Sequence, residues 1–180
     1  MRPLIITGAL AALLGGCAGE SMGAPAGGAY TAEAQATPTG VDFVRMAGAS
    51  DLYEIQSSQA LLQSSQNANL RRFAQTMIEN HTQTTATVTA AARDAGMTPP
   101  EPALDARKTE MVRQLQAAQG TERDRLYVEQ QLMAHQEALA LHGGYAENGD
   151  TPQLRRAAAT ARPIVERHLN EIQAMQRDAI

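Results

Sequence analysis

Apolar residues recur at three- and four-residue spacing along most of the chain, most clearly from Asn67 to Gly96. There Leu70, Phe73, Ala74, Met77, His81, Thr84, Val88, Ala91 and Ala95 fall on one side of a helix. Asn67 suits the cap at its start, and Gly96 suits the left-handed turn at its end. The opening of this stretch returns late in the chain. Asn67-Ala68-Asn69-Leu70-Arg71-Arg72-Phe73-Ala74 is echoed by Thr151-Pro152-Gln153-Leu154-Arg155-Arg156-Ala157-Ala158. Each copy has a capping residue before its leucine and a histidine after it, His81 and then His168. The pattern predicts two helical hairpins built around these two helices.

The remaining elements follow from the same periodicity. A first helix is predicted from near Asp42 to near Gln66, with Phe43, Ala47, Ser50, Glu54, Ser58 and Leu61 on its inner face. Glu54 sits mid-face, where a carboxylate is costly unless paired or bound to a cation. Pro99, Pro100 and Pro102 then interrupt any helix, and Ala103 to Gln119 reads as a short helix within a long crossover. Thr121-Glu122-Arg123-Asp124 resembles a capping box and opens a third long helix to about Asn148. Val128, Gln131, His135, Ala138, Leu139 and His142 share its inner side, with His142 expected near the rim. Thr151 caps the fourth long helix, and Pro152 fits its first position. Pro163 frees the carbonyl of Ala159 and is expected to kink that helix one turn before His168.

Composition agrees with an all-α four-helix bundle whose long crossover carries a short extra helix. Aromatic residues make up 3% of the 180, and Trp is absent. Runs of β-branched residues outside helical patterns are missing, which argues against a sheet. The formal net charge of −4 leaves no basic footprint for nucleic acid. No Gly-x-Ser-x-Gly elbow, dinucleotide fingerprint or P-loop is present.

The single cysteine changes the picture of the N-terminus. A short basic start, Met1-Arg2, precedes an apolar core from Pro3 to Leu14 that is too short to span a membrane. Leu14-Gly15-Gly16-Cys17 resembles a bacterial lipobox. The resemblance implies a signal peptide over residues 1–16 and a lipidated Cys17 as the first mature residue, anchored in a membrane through its acyl chains. Ala18 in place of Asp after the cysteine favours the periplasmic side of the outer membrane. Residues 17–40 are Gly, Ala, Pro and Thr-rich and read as a disordered tether reaching about 25 Å on average. The helical domain is expected over residues 41–180.

Phe43-Val44 with Glu54, Phe73-Ala74 with Met77 and His81, Tyr127 with His135, and Pro163 with His168-Leu169 resemble a family of bacterial envelope proteins. It is catalogued as domain of unknown function 4142. The resemblance covers about Val41 to Met175 and implies a ferritin-like bundle in the cell envelope, with no activity attached. The family often has Asp before the histidines of the second and third helices; this chain has Asn80 and Ala134 there.

Each long helix thus offers one polar group mid-face: Glu54, His81, His135 and His168. Glu54 lies thirteen residues before Asn67 and His81 fourteen after it, while His135 lies fifteen before Asp150 and His168 eighteen after it. The mismatches amount to about 1.5–4.5 Å of height, so partners within a hairpin can meet. If both hairpins share one level, one carboxylate and three imidazoles converge, a set suited to Zn, Fe, Cu or Mn. A di-iron ferroxidase is disfavoured, because Glu-x-x-His requires Glu where Ile78, Leu132 and Val165 stand. The competing reading pairs Glu54 with His81 and His135 with His168 as structural hydrogen bonds. Two functions follow: a non-enzymatic structural or interaction module with an envelope protein partner, or a transition-metal-binding protein or small oxidoreductase.

Overall fold

The computed structural model describes residues 37–178, with the side chain of residue 178 excepted. The expected signal peptide, Cys17 and most of the expected tether lie outside the described residues. Five helices follow one another: α1 Gly40–Leu62, α2 Ala68–Asp94, α3 Ala106–Ala117, α4 Gly120–Asn148 and α5 Pro152–Asp178. Among the described residues no helix is long and apolar enough to cross a membrane.

Local chemistry explains most of the boundaries. The side-chain oxygen of Asn67 accepts from the backbone N–H of Asn69 and Leu70 and starts α2. Gly96, at φ +77°, ends it, while Met97 donates its N–H back to the Ala92 carbonyl. Thr39 caps α1, so the helix begins at Gly40, one residue ahead of the expected domain start. It stops at Leu62 instead of near Gln66, because Arg71 reaches back to the carbonyls of Leu62 and Ser65.

The expected capping box at Thr121 is not what opens α4. The cap position falls on Gln119, which makes no side-chain cap bond, and Gly120 has φ +54°. Buried Arg123 holds this junction instead. Its guanidinium donates to the carbonyls of Gln116, Ala118 and Ala60, tying the crossover to the end of α1. α5 continues through Pro163.

α1 packs on α2 and α4 on α5, and the two hairpins meet through α1–α4 and α2–α5. Tyr53 bonds Gln130 and Ser58 bonds Tyr127, so α1 and α4 run in opposite directions. The Asn80–His168 and Gln153–Asp94 contacts give α2 and α5 the same antiparallel relation. α3 lies along α1 and α4, with Met111 and Val112 packed on Tyr53 and Ala134.

The apolar interior is divided. One cluster, at the end holding the α1–α2 turn, contains Leu61, Leu70, Phe73, Met77, Leu115, Tyr127 and Ile172. The other, at the end holding the α4–α5 turn, contains Phe43, Val88, Ala92, Tyr145 and Leu154. Between them lies a buried polar layer.

Candidate metal centre

The polar layer is built from four helices. α1 contributes Asp51 and Glu54 one turn apart, α2 contributes His81 and Thr84, α4 contributes His135, and α5 contributes His168. All six are buried, Glu54 and His135 completely. The three imidazoles close on one another, with ring centroids 5.4–5.7 Å apart. One ligating nitrogen from each lies within 4.8 Å of the other two.

Each ring commits one nitrogen to a partner and leaves the other free. His81 Nδ1 lies 2.8 Å from Asp51 Oδ1, while its Nε2 has no partner. Asp51 also accepts from the hydroxyls of Thr84 and Thr85, each at 2.9 Å. His135 Nδ1–H donates to the Gln131 carbonyl at 2.8 Å, and its Nε2 is unpartnered. His168 Nε2 meets the Asn80 side-chain amide at 2.9 Å, and its Nδ1 is unpartnered. The contacting atom of Asn80 is its amide nitrogen, which donates to Nε2 and leaves the ring's proton on Nδ1; turning the amide so that its oxygen faces Nε2 moves the proton there and frees the Nδ1 lone pair. Three buried nitrogens are thus unpartnered, each on a ring held through its other nitrogen, as metal-binding histidines commonly are.

Electrostatics favours neutral rings at two of the three. Burial holds His135 below the usual histidine range, opposed by the nearby charge of Glu54. Burial, reinforced by the neighbouring histidines, pushes His168 down to about 2. At His81 burial also opposes charge, but the hydrogen bond to Asp51 and the charges of Asp51 and Glu54 outweigh it and raise the pKa. Neutral imidazoles are the form that binds a metal.

The three histidines predicted from sequence meet, and Glu54 stands beside them. Its Oε1 is 3.7 Å from His135 Nδ1, on the nitrogen already committed to Gln131. Neither of the expected structural pairs forms. His81 bonds Asp51 in place of Glu54, because Asp51 lies one turn nearer the α2 residue it faces. His135 bonds its own helix backbone and His168 bonds Asn80. His142, expected near the rim, is 1% exposed and packs edge-on against Phe43. Counting from the turn misplaced it, since Tyr145 and Leu154 fill the bundle end beyond it. Asp51, Thr84, Thr85 and Asn80 are the partners that sequence reasoning missed. Asp51 was findable as a second carboxylate three residues before Glu54 on the buried face. Cys17 lies outside the described residues.

The sequence profile of "Domain of unknown function (DUF4142)" matches residues 26–175. The chain belongs to the DUF4142 family. No curated protein matches it. A crystal structure described as a DUF305 fragment from Deinococcus radiodurans is similar, with a TM-score of 0.66 at 18% identity. The alignment covers 77% of this chain and 95% of that one. At that identity the likeness concerns the fold, and it places this DUF4142 member among ferritin-like helical bundles.

Proposed function

We propose that this DUF4142 protein is a metal-binding lipoprotein of the cell envelope. On this reading its bundle holds one transition-metal ion at His81, His135 and His168, and Cys17 tethers it to the periplasmic side of the outer membrane. One observation carries the reading: three fully buried imidazoles each leave one nitrogen unpartnered, and the ligating atoms lie within 4.8 Å of one another. A buried polar atom without a partner costs about 1–3 kcal/mol, and three at one point are repaid together by an ion. Tetrahedral ligands with metal–nitrogen bonds of 2.0–2.1 Å stand about 3.3 Å apart, so closing the site needs approaches of at most about 1.5 Å. Zn, Fe, Cu and Mn all accept imidazole.

Holding an ion is favoured over turning over a substrate. None of the three surface grooves described is lined by a histidine of this layer. A two-iron centre is disfavoured because Glu79, Glu137 and Glu166 are exposed, away from the three imidazoles. The direct test is elemental analysis of protein purified without chelators, beside His135→Ala. A near-stoichiometric transition metal that the variant lacks supports the reading. Protein that takes up no Zn, Fe, Cu or Mn on addition overturns it.

The Asp51–His81 bond with its two threonine donors favours one second reading. Here the polar layer sets the register of a structural or interaction module, with an envelope protein as partner. Normal metal-free stability together with a specific crosslinked envelope protein is the result that reading expects.

A further inference from the structure

Glu54 and Asp51 are neighbours on α1, yet they are treated in opposite ways. Asp51 is joined by one imidazole and two hydroxyls. Glu54 is completely buried, and neither of its oxygens has a hydrogen-bond partner. Its nearest cationic candidate, His135 Nδ1 at 3.7 Å, gives its proton to Gln131 instead. Among the described residues neither carboxylate forms an ion pair with Lys or Arg. A carboxylate sealed from water without donors is among the most costly groups a core can carry. Its cost is recovered where it can reach a cation.

We propose that Glu54 is the fourth ligand of the ion held by His81, His135 and His168, and that its charge selects a divalent ion over a monovalent one. The proposal rests on the histidine reading above. Glu54 leaves its place beside His135 Nδ1 and, through its side-chain torsions, brings a carboxylate oxygen to the ion. The three imidazoles are neutral ligands, so the charge of the filled layer is set by Asp51, Glu54 and the metal. A divalent ion cancels both carboxylates. A monovalent ion such as Cu(I) leaves one negative charge buried, and it also prefers sulfur donors, which the layer lacks. Mixed nitrogen and oxygen ligation suits Zn, Mn and Fe in their divalent states.

The test compares wild type, Glu54→Gln and His135→Ala, with Co(II) as a spectroscopic probe and Cu(I) as the monovalent competitor. The expected result is a changed visible Co(II) spectrum in Glu54→Gln and a loss of Co(II) affinity of about tenfold or more. Cu(I) affinity is expected to change much less. X-ray absorption of Zn(II)-loaded wild type, expected to show three imidazoles and one oxygen that follows Glu54, keeps the test open if Glu54→Gln does not fold. An unchanged Co(II) spectrum and affinity in Glu54→Gln, with binding lost in His135→Ala, overturns the Glu54 proposal and leaves the histidine reading standing. Equal losses for Co(II) and Cu(I) overturn the charge selection. Wild type that binds Cu(I) but neither Co(II) nor Zn(II) overturns the Glu54 proposal alone, and wild type that takes up no Zn, Fe, Cu or Mn overturns both.

Discussion

His81 donates its Nδ1 proton to Asp51 across 2.8 Å, between two side chains that water barely reaches. That bond fixes the ring's orientation and tautomer and leaves Nε2 without a partner. Asp51→Asn keeps the shape but replaces an acceptor with an amide that must donate to one of its three neighbours. Metal affinity is expected to fall about 10–100-fold, the usual cost of losing a carboxylate behind a ligating histidine. Metal-free stability is expected to drop by about 1–3 kcal/mol, since a threonine hydroxyl or the ring loses its acceptor. Competition titration and urea unfolding read the two effects separately. Unchanged affinity would show that the bond is structural only.

The histidines make metal-free stability depend on pH with a definite sign. His135, His142 and His168 are all held below the ordinary value of 6.5, His168 at about 2. Below pH 6.5 the unfolded chain takes up protons that the fold refuses, so stability falls with acid, by about 1.4 kcal/mol per pH unit for each such group. His81 is raised, so its contribution is complete below 6.5 and is lost as pH rises through its folded value. The metal-free protein is therefore expected to be most stable near pH 6.5, with a steeper decline toward pH 5 than toward pH 8. Thermal unfolding at those three values checks it; a flat profile would contradict the assigned shifts.

Asn80 precedes His81 on α2, and the structure gives that position a task. Its amide meets His168 Nε2 at 2.9 Å. An amide can present either its oxygen or its nitrogen to the ring, so it leaves the tautomer of His168 weakly specified. A carboxylate only accepts, which places the proton on Nε2, frees Nδ1 and makes the ring a stronger ligand. Asn80→Asp is expected to tighten Zn(II) binding by about tenfold and to raise the pKa of His168. NMR titration of the ring and a chelator competition would show both. Weaker binding would mean that His168 does not ligate through Nδ1.

These partners also show where the sequence stopped being legible. Helix α2 could be bounded closely because Asn67 and Gly96 act on their own backbone neighbourhood, which sequence contains. The three histidines could be placed on inner faces because helical period decides facing. Their hydrogen-bond partners could not, because Asp51, Thr84 and Asn80 are chosen by the rotation and height of neighbouring helices. The start of α4 escaped for a similar reason: Arg123 organises it through the Ala60 carbonyl, sixty-three residues away.

Phe73 closes the polar layer against the apolar cluster next to it. It is fully buried, and its ring centroid lies 6.3 Å from each of Tyr127, His135 and His168, with Tyr127 and His168 met near edge-on. Removing it opens a cavity that three rings border, and two of those rings are proposed ligands. Phe73→Ala is expected to lower metal-free stability by about 3–5 kcal/mol, the range for a large aromatic removed from a core. Phe73→Leu, which fills more of the space, is expected to cost clearly less. The imidazoles lose their packing along with the core, so metal affinity should fall in Phe73→Ala although no ligand is altered. Saturating Zn(II) should then recover part of the lost stability, because an ion that binds only the folded state pulls the equilibrium toward it. Urea unfolding of both variants with and without Zn(II) separates the packing loss from the ligand effect. A loss below about 1 kcal/mol in Phe73→Ala would mean that the rings collapse into the gap and the layer is softer than its burial implies.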